Sequence, residues 1–126
     1  MSRLDDIAPL IDASFQIHAE GDVVRFTGVL SMRNPSEVVT PFLRRVHAIA
    51  ISAGMKQLTV DIVQLRFMNS SSIRSLVDWV EWIRGEPEAK RYVLDFLTKS
   101  DVLWQKTTLM AIQAFGGQQV IVRRRG

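Results

Sequence analysis

The chain has 126 residues, 16 Lys and Arg against 13 Asp and Glu for a formal net charge of +3, and no cysteine. That length is one domain, residues 1–126, able to bury roughly two-thirds of the surface its unfolded chain exposes. The missing thiols exclude disulfides and cysteine-held zinc and suit a reducing cytoplasm; no apolar run nears the ~18 residues of a membrane span, and no secretory leader opens the chain.

The basic balance is modest. The pI is near 9.8, but part of the excess is Arg123, Arg124 and Arg125 at the end of the chain, read as a solvated tail. The other cations are dispersed among acids, so no nucleic acid is expected as partner.

Residues 1–12 mix acids and aliphatics around Pro9 and read as an arm or a short first strand. Residues 15–19 and 23–30 are apolar runs on either side of Glu20-Gly21-Asp22, a hairpin that starts a sheet edge. Asn34-Pro35-Ser36-Glu37 has the form of a helix start, with Asn34 as cap, Pro35 where its missing N–H costs nothing, and Glu37 closing a capping box. Val38, Phe42, Val46, Ile49 and Ala53 would face the core, and Gly54 would end the helix. Pro41 conflicts with an unbroken helix: either the helix kinks there or Thr40-Pro41 is its true start.

Residues 58–63, rich in branched side chains, fit a strand buried on both faces. Asn69, Ser70, Ser71 and Ser72 follow, small polar residues of the kind that cap helices. The helix they open carries one apolar stripe of Ile73, Leu76, Val77, Val80 and Ile83. Ser71, Ser75, Asp78 and Trp82 fall far from that stripe, with Trp79 on its flank. An exposed Trp82 is expected at a partner or dimer surface, because aromatics are enriched in interface hot spots.

Residues 85–90 form a polar connection and residues 92–97 an interior strand. Ser100 caps a third helix over residues 101–115, in which Trp104 is read as core, and which ends at Gly116-Gly117. Residues 119–122 are a last strand. The order β-β-α-β-α-β-α-β predicts an α/β fold, a small mixed, largely parallel sheet with helices packed on it through right-handed crossovers.

The run from Asp61 to Ile73 resembles the signature of STAS domains, the anti-sigma-factor antagonist family. That signature is a strand aspartate, an apolar stretch, then Asp-Ser-Ser or Asp-Ser-Thr followed by Gly and an aliphatic residue. Here Asp61 matches the strand aspartate, Phe67-Met68 the apolar pair, and Asn69-Ser70-Ser71-Ser72-Ile73 the rest, with Asn69 in place of aspartate and Ser72 in place of glycine. The resemblance implies a STAS-like fold and a phospho-regulated protein-binding module, with Ser71 as the phosphoacceptor. Partner binding would fall to Asn69, Ser70, Ser72, Arg74, Ser75, Asp78 and Trp82. The implied partner is a serine kinase that is also the anti-sigma factor, with a phosphatase restoring the unmodified state, in cytoplasmic signalling to transcription. The two departures favour an alternative, a STAS-like scaffold that is not phosphorylated.

Other chemistry finds little footing. His18 and His47 lack metal-ligand spacing and read as strand or surface histidines. The serines lack the Gly-x-Ser-x-Gly elbow of a hydrolase, and no glycine-rich phosphate loop is present. Asp61 and Asp95 read as strand-end carboxylates. No enzyme activity, cofactor or metal is expected.

Overall fold

The computed structural model describes residues 3–99 and 101–125; Ser100, the expected cap of the third helix, lies outside them. The described elements are β1 (Leu10–Ile11), β2 (Phe15–Glu20), β3 (Val23–Leu30), α1 (Val39–Ser52), β4 (Gln57–Asp61), β5 (Leu65–Met68), α2 (Ser70–Arg84), β6 (Val93–Lys99), α3 (Leu103–Gly116) and β7 (Val120–Arg125). They form an α/β fold around a mixed, mostly parallel sheet of order β1-β2-β3-β4-β6-β7, with β5 also paired to β3. β1, β2 and β3 run antiparallel, and the pairs from β3 onward are parallel.

From β3 to β7 the chain always steps to the next lane in the same direction. Right-handed crossovers then place α1, α2 and α3 on the same face. Burial agrees. The register partners Ile17 and Phe26, Val24 and Val60, Val60 and Phe96, and Leu94 and Val120 are all buried in one cluster with helix residues. The opposite face carries Gln16, Arg25, Gln57, Thr59 and Arg123, exposed or half-buried. The expectation of a strand buried on both faces is therefore corrected: β4 is covered on one side only.

The expected strand over residues 58–63 ends at Asp61, and a second piece, β5, follows it in the same lane. β4 pairs with Val23 to Arg25, the chain leaves the sheet at Ile62, and β5 resumes beside Gly28, Val29 and Leu30 across a register shift. Polar side chains hold the break. Asp61 accepts from Arg25 Nε at 3.1 Å and from the Val63 N–H at 3.0 Å. The buried Gln105 amide donates to the carbonyls of Ile62 and Leu65 at 2.8 and 2.9 Å, so oxygens that left the ladder are satisfied from α3. Gly28, at φ +91°, lets β3 pass close to the β2 start; a Cβ there would lie 2.3 Å from the Ser14 carbonyl oxygen.

α1 resolves the conflict over Pro41. A 3₁₀ turn spans Pro35–Glu37, α1 begins at Val39, and Pro41 falls in its first turn, where the N–H has no intrahelical acceptor. Asn34 makes no cap bond; its Nδ2 donates to Glu37 instead. The buried side is Val39, Phe42, Leu43, Val46, His47 and Ala50: Phe42 and Val46 are as expected, while Val38 and Ile49 are half-buried and Ala53 is exposed. Gly54, at φ +67°, ends the helix in a Schellman motif, with Gly54 N–H on Ile51 and Met55 N–H on Ala50.

At the far end of the sheet, Arg123, Arg124 and Arg125 are not a tail. They belong to β7, which pairs with β6 as far as Lys99 and Arg125. Arg123 grips the fully buried Asp95 carboxylate through Nε at 2.8 and 2.9 Å, with Gln57 Nε2 adding a bond at 3.1 Å. Trp104 is half-buried rather than core, its Nε1–H donating to the Arg66 carbonyl at 2.8 Å.

His47 is neither in a strand nor on the surface. It sits buried on α1 in a chain of bonds. Trp79 Nε1–H can only donate, and it donates to the Tyr92 hydroxyl at 2.9 Å. The Tyr92 hydroxyl also bonds His47 Nδ1 at 2.7 Å, and His47 Nε2 bonds Glu86 at 3.2 Å. Burial pushes the Tyr92 phenol well above its usual range; the Trp79 bond opposes that shift and the Glu86 charge adds to it. Among the described residues, no helix is long and apolar enough to cross a membrane.

Candidate functional site

The start of α2 is fixed by one asparagine that bonds in four directions. The Asn69 backbone N–H donates to the Leu30 carbonyl at 3.0 Å, and its own carbonyl accepts from Ile73 at 2.9 Å. Its Oδ1 accepts from the Ser72 N–H at 3.0 Å, closing the helix cap, while Nδ2 donates to the Met32 carbonyl at 2.8 Å. Both ends of the amide are used. Aspartate could cap equally well, but it has no proton for Met32. Ser72 has an ordinary helical backbone, since no non-glycine residue among the described residues has positive φ, so nothing there calls for glycine.

Ser70 and Ser71 project from this start into an open groove of about 510 Å³. Its walls are the first turns of α2 (Ser70, Ser71, Arg74, Ser75, Asp78), the segment Arg33 to Ser36, and Thr40 of α1. Both serines are exposed. Arg74 is 70% exposed and ion-paired with Asp78 one turn on, Nε to Oδ1 at 3.1 Å. The groove thus sets an exposed hydroxyl at a helix N-terminus, with Arg74 and Arg33 as the cations lining it. Unpaired N–H groups and the helix dipole favour negative charge there.

The expected site residues separate into two groups. Ser70, Ser71, Arg74, Ser75 and Asp78 come together in the groove, whereas Asn69, Ser72 and Trp82 do not line it. The Ser72 and Ser75 side chains are buried, contrary to an exposed partner-binding face. Ser75 Oγ lies 3.1 Å from Thr40 Oγ1, a hydroxyl contact in the α1–α2 packing, and Ser72 Oγ is enclosed without a partner. Trp82 is half-buried instead of open, capped by the Arg44 guanidinium 4.3 Å above its ring and flanked by the His47 ring at 6.0 Å. Trp79, expected at the edge of the core, is fully inside it.

These displacements share one cause. The buried arc of α2 runs through Ser72, Ser75, Leu76, Trp79, Val80 and Ile83, rotated about 60° from the apolar stripe at 100° per residue. Ser75 on this arc meets Thr40 of α1. The groove residues missed in sequence are Arg33, Asn34, Ser36 and Thr40; their one signal was the Asn34-Pro35 turn, which says where a helix begins and not what it faces.

Among the described residues, no three His, Cys, Asp or Glu side chains converge as metal ligands. Compared with protein-family models, curated proteins and solved structures, the chain finds no match in any of the three.

Proposed function

We propose that this chain is a STAS-like, phospho-regulated protein-binding module in which the α2 groove is the docking face and Ser71 the phosphoacceptor. The observation that carries the reading is Ser71 itself: an exposed hydroxyl on the first turn of α2, beside a groove lined by Arg33 and Arg74. A phosphoryl group there adds about −1.5 to −2 charges and three acceptor oxygens to a helix N-terminus that tolerates them. The fold survives while the face changes sign, and burying a near-dianion against a partner becomes costly. By resemblance the partner is a serine kinase acting as an anti-sigma factor, and a phosphatase resets the module in the cytoplasm.

A second reading, a scaffold subunit without phosphorylation, is favoured by one specific feature. Asn69 serves the fold through its bond to Met32, and Ser72 is fully buried and so closed to a kinase. Incubation with ATP and kinase from the native extract, followed by phosphosite mapping, separates the two. Phosphate on Ser71, lost in Ser71→Ala without transfer to Ser70, supports the switch. A chain that stays unmodified on all three serines supports the scaffold and refutes the switch.

A further inference from the structure

A second groove lies at the other end of the parallel sheet, and nothing in the α2 reading uses it. It occupies about 340 Å³ where β6 and β7 end, under the first half of α3. Its apolar lining is Leu109, Met110 and Val122, and its cations are Lys99, Lys106 and Arg124; no acidic side chain lines it among the described residues. Leu109 is buried and Val122 half-buried, so the floor is set by packing rather than by mobile surface side chains, whereas Met110 is 61% exposed at the rim.

Two features point the same way. Arg25, Arg74 and Arg123 are each paired with an acid, Asp61, Asp78 and Asp95, whereas Lys99, Lys106 and Arg124 converge on a groove with no acid of its own among the described residues. Lys106 also stands four residues into α3, near the positive end of the helix dipole, where a cation is disfavoured and the first turn supplies no acid to offset it. An anion in the groove would relieve all three cations at once.

We propose that this groove binds a small phosphate monoester with an apolar body. One carboxylate would neutralise a single cation. A phosphate monoester brings nearly two charges and three acceptor oxygens to three cationic donors, and the guanidinium fork of Arg124 suits two of those oxygens. The volume lies at the lower end of the range for small-molecule sites, and Leu109, Met110 and Val122 provide an apolar bed for the esterified group.

The test is a titration of the full chain, followed by amide NMR, with phenyl phosphate, inorganic phosphate and benzoate as probes. Phenyl phosphate is expected to saturate shifts confined to Thr98, Lys99, the first turns of α3 and the end of β7, about tenfold or more tighter than either other probe. Lys106→Ala and Arg124→Ala, both exposed positions whose folding is checked by their thermal midpoints, should each weaken it about tenfold. Shifts scattered over all cationic surfaces, equal binding of inorganic phosphate, or affinity unchanged in both variants would each overturn the proposal.

Discussion

Replacing Asn69 by aspartate puts the signature residue of the STAS motif into this chain and reverses one hydrogen bond. The cap on Ser72 survives, because a carboxylate oxygen accepts as well as an amide oxygen, and a negative charge at the start of α2 contributes about 0.3 to 1 kcal/mol. Against this, the 2.8 Å bond to the Met32 carbonyl becomes two oxygens facing each other in a part-buried position. A part-buried carbonyl left without its partner costs about 1 to 3 kcal/mol, a figure that already contains the lost bond. Taking the middle of each range, Asn69→Asp should destabilise the fold by about 1 to 2 kcal/mol at neutral pH. That is a drop of roughly 3 to 10 °C in thermal midpoint for a chain of this size. Asn69→Ala, which gives up cap and anchor together, should cost about 2 to 3 kcal/mol. Urea unfolding with matched slopes measures both. Protonation would return a donor to the side chain, so the aspartate variant should approach the parent as pH falls below about 4, the ordinary range of that carboxyl. An aspartate variant as stable as the parent at pH 7, or one whose deficit grows on acidification, would refute the account of Asn69 as a two-sided anchor.

Three further outcomes follow from the described geometry. Tyr92 is the one tyrosine of the chain, and its phenol is pushed up by burial. The unfolded chain releases that proton near pH 10 and the native one does not, so stability is full below pH ~10 and falls as pH rises beyond it. The ultraviolet tyrosinate signal should therefore appear only with unfolding, and its appearance in native protein at pH ~10 would contradict the burial. Tyr92→Phe strands the Trp79 N–H and His47 Nδ1 inside the protein and should cost about 2 to 4 kcal/mol by chemical denaturation, well above a conservative ring substitution at the surface. Gly28→Ala forces a Cβ to 2.3 Å from the Ser14 oxygen at a left-handed φ; a loss of about 2 kcal/mol or more is expected, and a variant that melts with the parent would count against the bulge geometry.

Most of the architecture was legible because burial here is one-sided and periodic. The hairpin at Glu20-Gly21-Asp22, the stops at Gly54 and Gly117, and the cap at Asn69 all come from local rules that tertiary contacts did not override. Misreadings occur where a helix touches two neighbours at once. An apolar stripe marks the greasiest direction of α2, yet the helix is buried against α1 as well as the sheet, so Ser75 and Trp79 are drawn inward and Trp82 is half-covered by Arg44 and His47. Polar partnerships were not legible at all. Nothing in the spacing of His47, Trp79, Glu86 and Tyr92 reveals that they bond in sequence, and nothing at Gln105 reveals that it repairs the gap between β4 and β5. The groove residues on α2 fall within the stretch singled out in sequence. Arg33 and Ser36 could not be read, because a turn carries no period.

β3 supports both halves of the interrupted lane, and its last residue, Leu30, holds the amide of Asn69. The start of α2 is therefore tied to the hairpin as well as to α3, whose Gln105 and Trp104 hold the carbonyls of Leu65 and Arg66. A displacement of β3 would reach Ser71 through Leu30 and β6 through β4.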